Sequence, residues 1–264
     1  MTSTTVTPRL RLARPPVIRV RTTIHFAEIE DLTLSELAPF VVEMSQNYPS
    51  ISEHFPLPPI GDDGSAVEFA GRSSGLPMPL VSMVADSGNE ISFQADRLSL
   101  SWNFDRLKPD KIYPGFELLR EELLQAFSTF EEQLQSLGHQ ITIQASQVLY
   151  RNSVNELPGA GVALYLLTGL ENITARHITD DRTYAGARLR FPANEGGIRR
   201  SVAAGVDSSS DETTVLWIKV LSRPASSESA FVLLDDAHDE SIRRFIQFTP
   251  GWLRETWGVV GGSS

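Results

Sequence analysis

The elements written into residues 15–137 recur in the same order in residues 138–258: a strand, a short helix, three more strands and a longer amphipathic helix. A half of this kind cannot stand alone, because its strands present unpaired edges and its helix a bare apolar stripe. The expected fold is therefore α+β, with tandem β-α-β-β-β-α halves forming a mainly antiparallel sheet, the long helices packed on one face, and both halves sharing one cooperative domain. The repetition lies in the order of elements and not in residue identity. Residues 1–14 and 259–264 read as flexible ends.

In the first half, Ile18, Val20, Thr22, Ile24 and Phe26 alternate with Arg19 and Arg21, the period of a half-buried strand. Leu34, Leu37, Val41 and Met44 then recur at helical spacing as far as Tyr48 and Pro49. Between 48 and 79, Pro49, Pro56, Pro58, Pro59, Pro77 and Pro79 remove backbone donors, so a poorly structured stretch is expected. A strand is predicted at 80–84. Ile91, Phe93 and Ala95 hold one parity and Leu98, Leu100, Trp102 and Phe104 the other, which puts a tight turn or bulge at Asp96 and Arg97. Pro114 suits a first helical position, and Phe116, Leu119, Leu123, Phe127, Phe130, Leu134 and Leu137 trace a stripe that Gly138 is placed to end. Each of those side chains contributes roughly 1.5–3 kcal/mol when buried, so the stripe must lie on an equally apolar surface. The sheet is the only candidate.

The second half opens with Ile141, Ile143 and Ala145, slips phase to Val148 and Tyr150, and continues into a short helical stretch at 162–167. Leu189 and Phe191 alternating with Arg188 and Arg190, then Ile198, Val202, Ala204 and Val206, then 213–221, read as three strands, with the serines 208–210 as a turn. A helix carrying Leu234, Ala237, Ile242, Phe245 and Ile246 follows, and Thr249-Pro250 is positioned to start a further short helix reaching Trp257.

Composition narrows the functions. With 41% hydrophobic residues over 264 positions the chain can bury a sizeable core. A net charge of -10, from 23 basic and 33 acidic residues, argues against generic binding to nucleic acid or to an anionic bilayer. No cysteine is present, which removes disulfides, thiolate metal sites and any cysteine nucleophile, and fits a cytoplasmic setting. No apolar run reaches the roughly 20 residues of a membrane span. The arginines 9, 11, 14, 19 and 21 superficially resemble a transit peptide, but a solvated tail followed by the outward face of a strand accounts for them better.

Four local patterns bear on chemistry. Gly71-Arg72-Ser73-Ser74-Gly75 fits G-x-S-x-G, yet Leu76-Pro77-Met78-Pro79 forbids the helix that a nucleophile elbow needs. Gly159-Ala160-Gly161 opens a helix, but Leu164 stands where a dinucleotide fingerprint requires glycine. Asp235, Asp236, His238 and Asp239 crowd the expected start of the last long helix, where acids complement the dipole without any metal. No metal or cofactor is assigned to them. Arg188, Arg190, Arg199 and Arg200 read as a solvated strand face. What remains is a set of amphipathic residues suited to a ligand groove or a protein interface: Trp102, Asn103, Tyr113, Tyr150, Asn152, His238 and Trp257, with Trp217 beside them.

Several of these residues carry a resemblance that spans nearly the whole chain. Pro15-Pro16-Val17, the run Ile91-Ser92-Phe93-Gln94-Ala95-Asp96-Arg97 to Ser101-Trp102-Asn103, Tyr113-Pro114, Tyr150-Arg151-Asn152, and His238 followed by Phe245, Thr249 and Trp257 resemble, in that order, a sporadically distributed family of uncharacterised prokaryotic proteins of about this length. The resemblance implies an intracellular accessory or defence-associated protein and no particular reaction, cofactor or partner. The expectation is a non-enzymatic binding or assembly protein that recruits a protein partner through its sheet. The alternative is a small-molecule binder or enzyme with a pocket between sheet and helices.

Overall fold

Nine antiparallel strands form one continuous sheet in this computed structural model, which describes residues 10–61, 64–66, 77–104, 112–154, 184–193, 197–209, 214–226 and 228–259. The elements run β1 (Val17–Phe26), α1 (Ala38–Met44), β2 (Ser50–His54), β3 (Leu80–Val84), β4 (Glu90–Gln94), β5 (Arg97–Asn103), α2 (Phe116–Ser136), β6 (Ile143–Ser153), β7 (Tyr184–Pro192), β8 (Arg199–Ser209), β9 (Thr214–Arg223), α3 (Ala230–Phe248) and α4 (Gly251–Thr256). Their order across the sheet is β2-β3-β4-β5-β1-β6-β9-β8-β7. The fold is thus mixed, a large antiparallel sheet with four helices among the described residues. None of the described helices is long and apolar enough to cross a membrane.

Because neighbouring residues on a strand point to opposite faces, the register sorts the strand side chains into two sets of cross-strand rows. One set is apolar. Trp102, Val20, Tyr150, Ile218, Ala204 and Leu189 form one row, and Ile91, Leu100, Thr22, Val148, Val220, Val202 and Phe191 the next. A third runs from Phe93 through Leu98, Ile24 and Ser146 to Ser222 and Arg200. Onto these rows α2 lays the buried residues Phe116, Leu119, Leu123, Phe127, Phe130 and Leu134. The Phe130 ring lies 5.8 Å from Phe26, 5.9 Å from Phe93 and 5.2 Å from Phe40 of α1, in tilted and edge-on geometries that favour aromatic contact. α2 ends as its sequence requires. Gly138 adopts φ +86° and donates to Gln135 O, while His139 donates to Leu134 O, closing a Schellman motif.

α3 is tied to the same rows by polar contacts. Ser146 donates to Ala230 O at 2.7 Å, and Asp236 accepts from Ser222 at 2.6 Å and from both Nε and Nη2 of Arg200. Within α3 the fully buried Glu240 is held by Arg243 and Arg244 at 2.8 and 2.7 Å.

Several expectations are corrected. The Pro-rich stretch contains a strand, β2, because its residues 50–54 hold no proline and pair with β3 throughout. The first helix is therefore followed by four strands and not three. Pro114 lies outside α2, whose N-cap is Gly115 at φ +99°; the left-handed turn there demands glycine and displaces the helix start by two residues. Leu137 and Phe104 are part-exposed at element ends. Ser208 and Ser209 belong to β8 instead of a turn. α3 begins at Ala230, capped by the Ser229 hydroxyl on Val232 N, so Asp235 and Asp236 sit in its second turn and act through Arg120 and Arg200 instead of through the helix terminus. Thr249 closes α3, donating to Phe245 O at 2.5 Å, and does not start α4. Residues 10–14 are not a free tail: Leu12 bridges Val259, and Ala13 and Arg14 donate to Gly258 O and Trp257 O. The glycine patterns at 71–75 and 159–161 and the helical stretch at 162–167 lie outside the described residues.

The second set of rows is polar. Thr23 and Ser99 share a hydrogen bond of 2.9 Å, Arg21 donates to Ser101 at 2.8 Å, and Ser82, Ser92 and Gln94 are buried beside them. Residues 57–61 and Gly64 lie across this face. Gln94 exchanges two hydrogen bonds with the Leu57 backbone, and Pro58 O, Gly61 O and Gly64 O accept from Arg97, Arg223 and Lys219 at 2.7, 2.7 and 2.8 Å. A proline-rich segment that cannot enter a ladder thus has its carbonyls satisfied by long cationic side chains.

Beneath that crossing lies His25, 3% exposed, with neither ring nitrogen hydrogen-bonded among the described residues. Burial first, then the positive charges of Arg97, Arg223 and Lys219, depress its pKa to about 3. The unfolded chain, with a histidine pKa near 6.5, takes up the proton first, so the contribution of neutral His25 is fully present above that pH and is lost as pH falls toward 3. Between pH 7 and pH 5 this one group should remove about 2 kcal/mol of unfolding free energy. Urea denaturation of the native chain and of His25→Leu at both pH values checks it: the pH-dependent loss should be smaller in the variant by that amount.

Candidate functional site

A cavity of about 1040 Å³ opens where the start of α2, the middle of α3 and the rows of β6 and β9 converge. Its far wall is the segment Leu10 to Val17, held by the backbone bonds to residues 257–259. Sequence brings three polar aromatic groups to its floor by three routes. Tyr150 is delivered by alternation along β6, in the row of Val20 and Trp102. Tyr113 is set by the turn preceding Gly115. His238 is set by helical spacing from Leu234, on the α3 face that meets the sheet.

These three form a hydrogen-bonded chain. The Tyr113 and Tyr150 hydroxyls are 3.2 Å apart, and the Tyr150 hydroxyl is 3.0 Å from His238 Nδ1. The imidazole is stacked flat on Phe116, with centroids 3.8 Å apart and planes within 2°, and Trp102 meets Tyr113 edge-on at 5.3 Å. Two rings thus fix the ends of the chain.

Burial raises the hydroxyl pKa of Tyr150 well above its usual value, and the neighbouring Tyr113 adds to the shift. Burial likewise raises that of Tyr113, offset in part by its hydrogen bond to Tyr150. Burial lowers that of His238, against the opposing pull of Asp239, Glu117 and Asp235. At neutral pH the chain therefore holds two phenols and an uncharged imidazole. If the protons run from Tyr113 through Tyr150 to Nδ1, His238 presents Nε2–H as a donor; if they run the other way, His238 Nε2 is left as an acceptor and the Tyr113 O–H as a donor. Either way the floor offers directional hydrogen bonds and no charge.

Among the described residues the surrounding groups do not assemble a nucleophile. Ser241, one turn from His238, donates to Ala237 O at 2.8 Å. The rim carries Glu117, Glu121, Asp235 and Asp239 against Arg11 and Arg120, and Arg120 is itself held by Asp235 at 2.5 and 2.9 Å. That balance disfavours an anionic guest. Among the described residues no group of three His, Asp or Glu is arranged to hold a metal ion.

Of the residues singled out by sequence, Tyr113, Tyr150, Asn152 and His238 line the cavity, and Trp102 is buried behind Tyr113. Asn152 uses its amide to donate to Leu216 O at 3.3 Å. Trp257 lies one layer away, packed on the lining residue Phe245 at 5.7 Å, with its carbonyl accepting from Arg14. Asn103 and Trp217 face the other side of the sheet, in the row of Arg19 and Arg151. The acidic group at 235–239 is divided: Asp235 meets α2, Asp236 meets Arg200 and Asp239 faces the cavity. Phe116 was legible only as one member of an apolar stripe, and the wall from residue 10 onward reads from sequence as part of a flexible tail, although Leu10 and Leu12 alternating with Arg9 and Arg11 are a signal of it.

A scan against models of known protein families finds no match, and a search of curated proteins finds none either.

Tyr150→Phe removes the central hydroxyl and leaves Tyr113 and His238 Nδ1 unpaired together, at a cost of about 1–3 kcal/mol in chemical denaturation. Tyr113→Phe, at the end of the chain, should cost less.

Proposed function

We propose that this protein is a binding protein whose cavity takes an uncharged or cationic, partly aromatic small molecule. The observation that carries the reading is the Tyr113–Tyr150–His238 chain on the floor of a cavity of about 1040 Å³. A few fixed polar groups on the floor of a preformed hollow give a ligand orientation, and the stacked ring pair of Phe116 and His238 offers a flat surface. The acidic rim draws a cation toward it. A thermal-shift screen of aromatic amines and heteroaromatic amides tests the reading: a compound at 100 times its Kd should add about 2.7 kcal/mol of stability, and His238→Ala should abolish the shift. A screen in which no member of either class shifts the midpoint would sink it.

A second reading, recruitment of a protein partner by strand addition, is favoured by the edge strand β2. All five of its residues are exposed, and among the described residues its only strand neighbour is β3. Ile51 at 48% and the adjoining Phe55 at 94% exposure supply side chains that a pairing strand would cover. Ile51→Lys, which puts a charge where a pairing strand would lie, should abolish co-purification of a stoichiometric partner from the native host; recovery of the same partner by this variant would refute the β2 route.

We further propose that residues 15–137 and 138–258 are tandem units related by duplication. The long helices α2 and α3 would then be equivalent elements covering one face of a sheet joined through β1 and β6. The cysteine-free composition supports a cytoplasmic setting for such a protein.

A further inference from the structure

The hydrogen-bonded chain on the cavity floor has two ends of opposite kind. Tyr113 and His238 both line the cavity, and among the described residues the Tyr113 hydroxyl makes no hydrogen bond except the one to Tyr150, while His238 Nε2 makes none. Each arrangement of the protons leaves one end a donor and the other an acceptor: Tyr113 O–H with a bare Nε2, or Nε2–H with a Tyr113 lone pair. One arrangement becomes the other only when every proton between the ends moves one place, and that movement changes the role of both ends together. Charged intermediates are disfavoured, because burial opposes phenolate at Tyr113 and Tyr150 and imidazolium at His238. The chain is therefore a neutral relay, with an acid at one end and a base at the other.

We propose that this cavity catalyses a proton shift next to the carbonyl group of a neutral ketone, with His238 Nε2 as base, the Tyr113 hydroxyl as acid and Tyr150 as the positioning residue that connects them. This activity rests on the binding reading above and adds turnover to it. The ketone sets its oxygen on Tyr113 O–H and an α-hydrogen on Nε2. Nε2 takes that hydrogen as a proton, the C–H electron pair becomes the C=C bond of the enol, and the carbonyl oxygen takes the Tyr113 proton. Tyr113 regains a proton from Tyr150, and Tyr150 one from Nδ1, which leaves Nε2–H and no net charge. The same steps in reverse return a proton to the α-carbon, or to the γ-carbon of a β,γ-unsaturated ketone, and restore the starting arrangement. The balance needs no oxidant, reductant or co-reactant. Hydrogen bonds of 3.2 and 3.0 Å and one imidazole ring separate the two ends, so these lie no more than about 8.5 Å apart; contacts of about 2.8 Å at each end leave up to about 3 Å, room for a carbonyl oxygen and its α-carbon. Phe116 stacked on His238 and Trp102 edge-on to Tyr113 hold both end rings in place.

Proton NMR in D2O with the full chain and acetophenone, 1-indanone or 2-tetralone tests the proposal, each ketone being screened first for a rise in the thermal midpoint. A ketone that raises it should exchange its α-hydrogens for deuterium roughly 100 to 10,000 times faster than in buffer alone. Tyr150→Phe cuts the connection without touching the ligand, so the exchange rate at saturating ketone should fall about tenfold or more while the Kd for the ketone stays within about twofold. That retained Kd shows the cavity still folded. Tyr113→Phe, the less disruptive change, should lower the rate as well. Two results would overturn the relay: a ketone that binds yet exchanges at the buffer rate, or either variant exchanging at the native rate. If aromatic amines or amides shift the midpoint and no ketone does, the carbonyl activity falls and the binding reading stands; if no compound of any class shifts it, both fall.

Discussion

The antiparallel pairing of β1 with β5 on one side and β6 on the other is the constraint on which the rest depends. It joins strands that precede residue 104 to strands that follow residue 142, and it aligns the alternating side chains of nine strands into common rows. A slip of one residue at this seam would exchange the faces on one side of it. Val20, Trp102 and Tyr150 would then no longer share a row, the apolar surface under α2 and α3 would be interrupted by arginines, and the cavity floor would be lost. The four-phenylalanine contact of Phe26, Phe40, Phe93 and Phe130 reinforces this register, because those rings meet only when β1 and β4 present the same parity toward α1 and α2.

Two faces of one sheet therefore carry different chemistry. Under the helices, burial of large side chains supplies stability and also sets the electrostatics of the cavity, since the same desolvation keeps Tyr113 and Tyr150 protonated and His238 neutral. On the opposite face, hydroxyls satisfy one another, and long cations reach the backbone carbonyls of Pro58, Gly61 and Gly64. His25 is the exception within that face, a buried imidazole among cations, stable only while uncharged.

Much of this architecture was legible in the residues. The stripe from Phe116 to Leu134, the phase change at Asp96, the terminating Gly138 and the alternation of β1 all follow from local periodicity and backbone chemistry, which act over a few residues. Tyr113, Tyr150, Asn152 and His238 were recognisable as amphipathic groups, but nothing in their spacing said that they would meet, because the hydrogen bonds among them join residues 37 and 88 positions apart. β2 was hidden among prolines, and the start of α3 was misread because acids that favour a helix terminus were in fact paired with Arg120 and Arg200 across the core.

The sequence by itself determined the element types, the apolar face of each strand and helix, and the absence of thiol chemistry, all of which are set by side-chain period and composition. The tertiary structure alone decided how charge is distributed. Arg199 and Arg200, adjacent in the chain, point to opposite sides of the sheet, the first exposed and the second buried against Asp236. Net charge sums over both faces and so conceals the difference. Only the pairing register, fixed by contacts between residues distant in the chain, separates a cationic face from an acidic cavity rim.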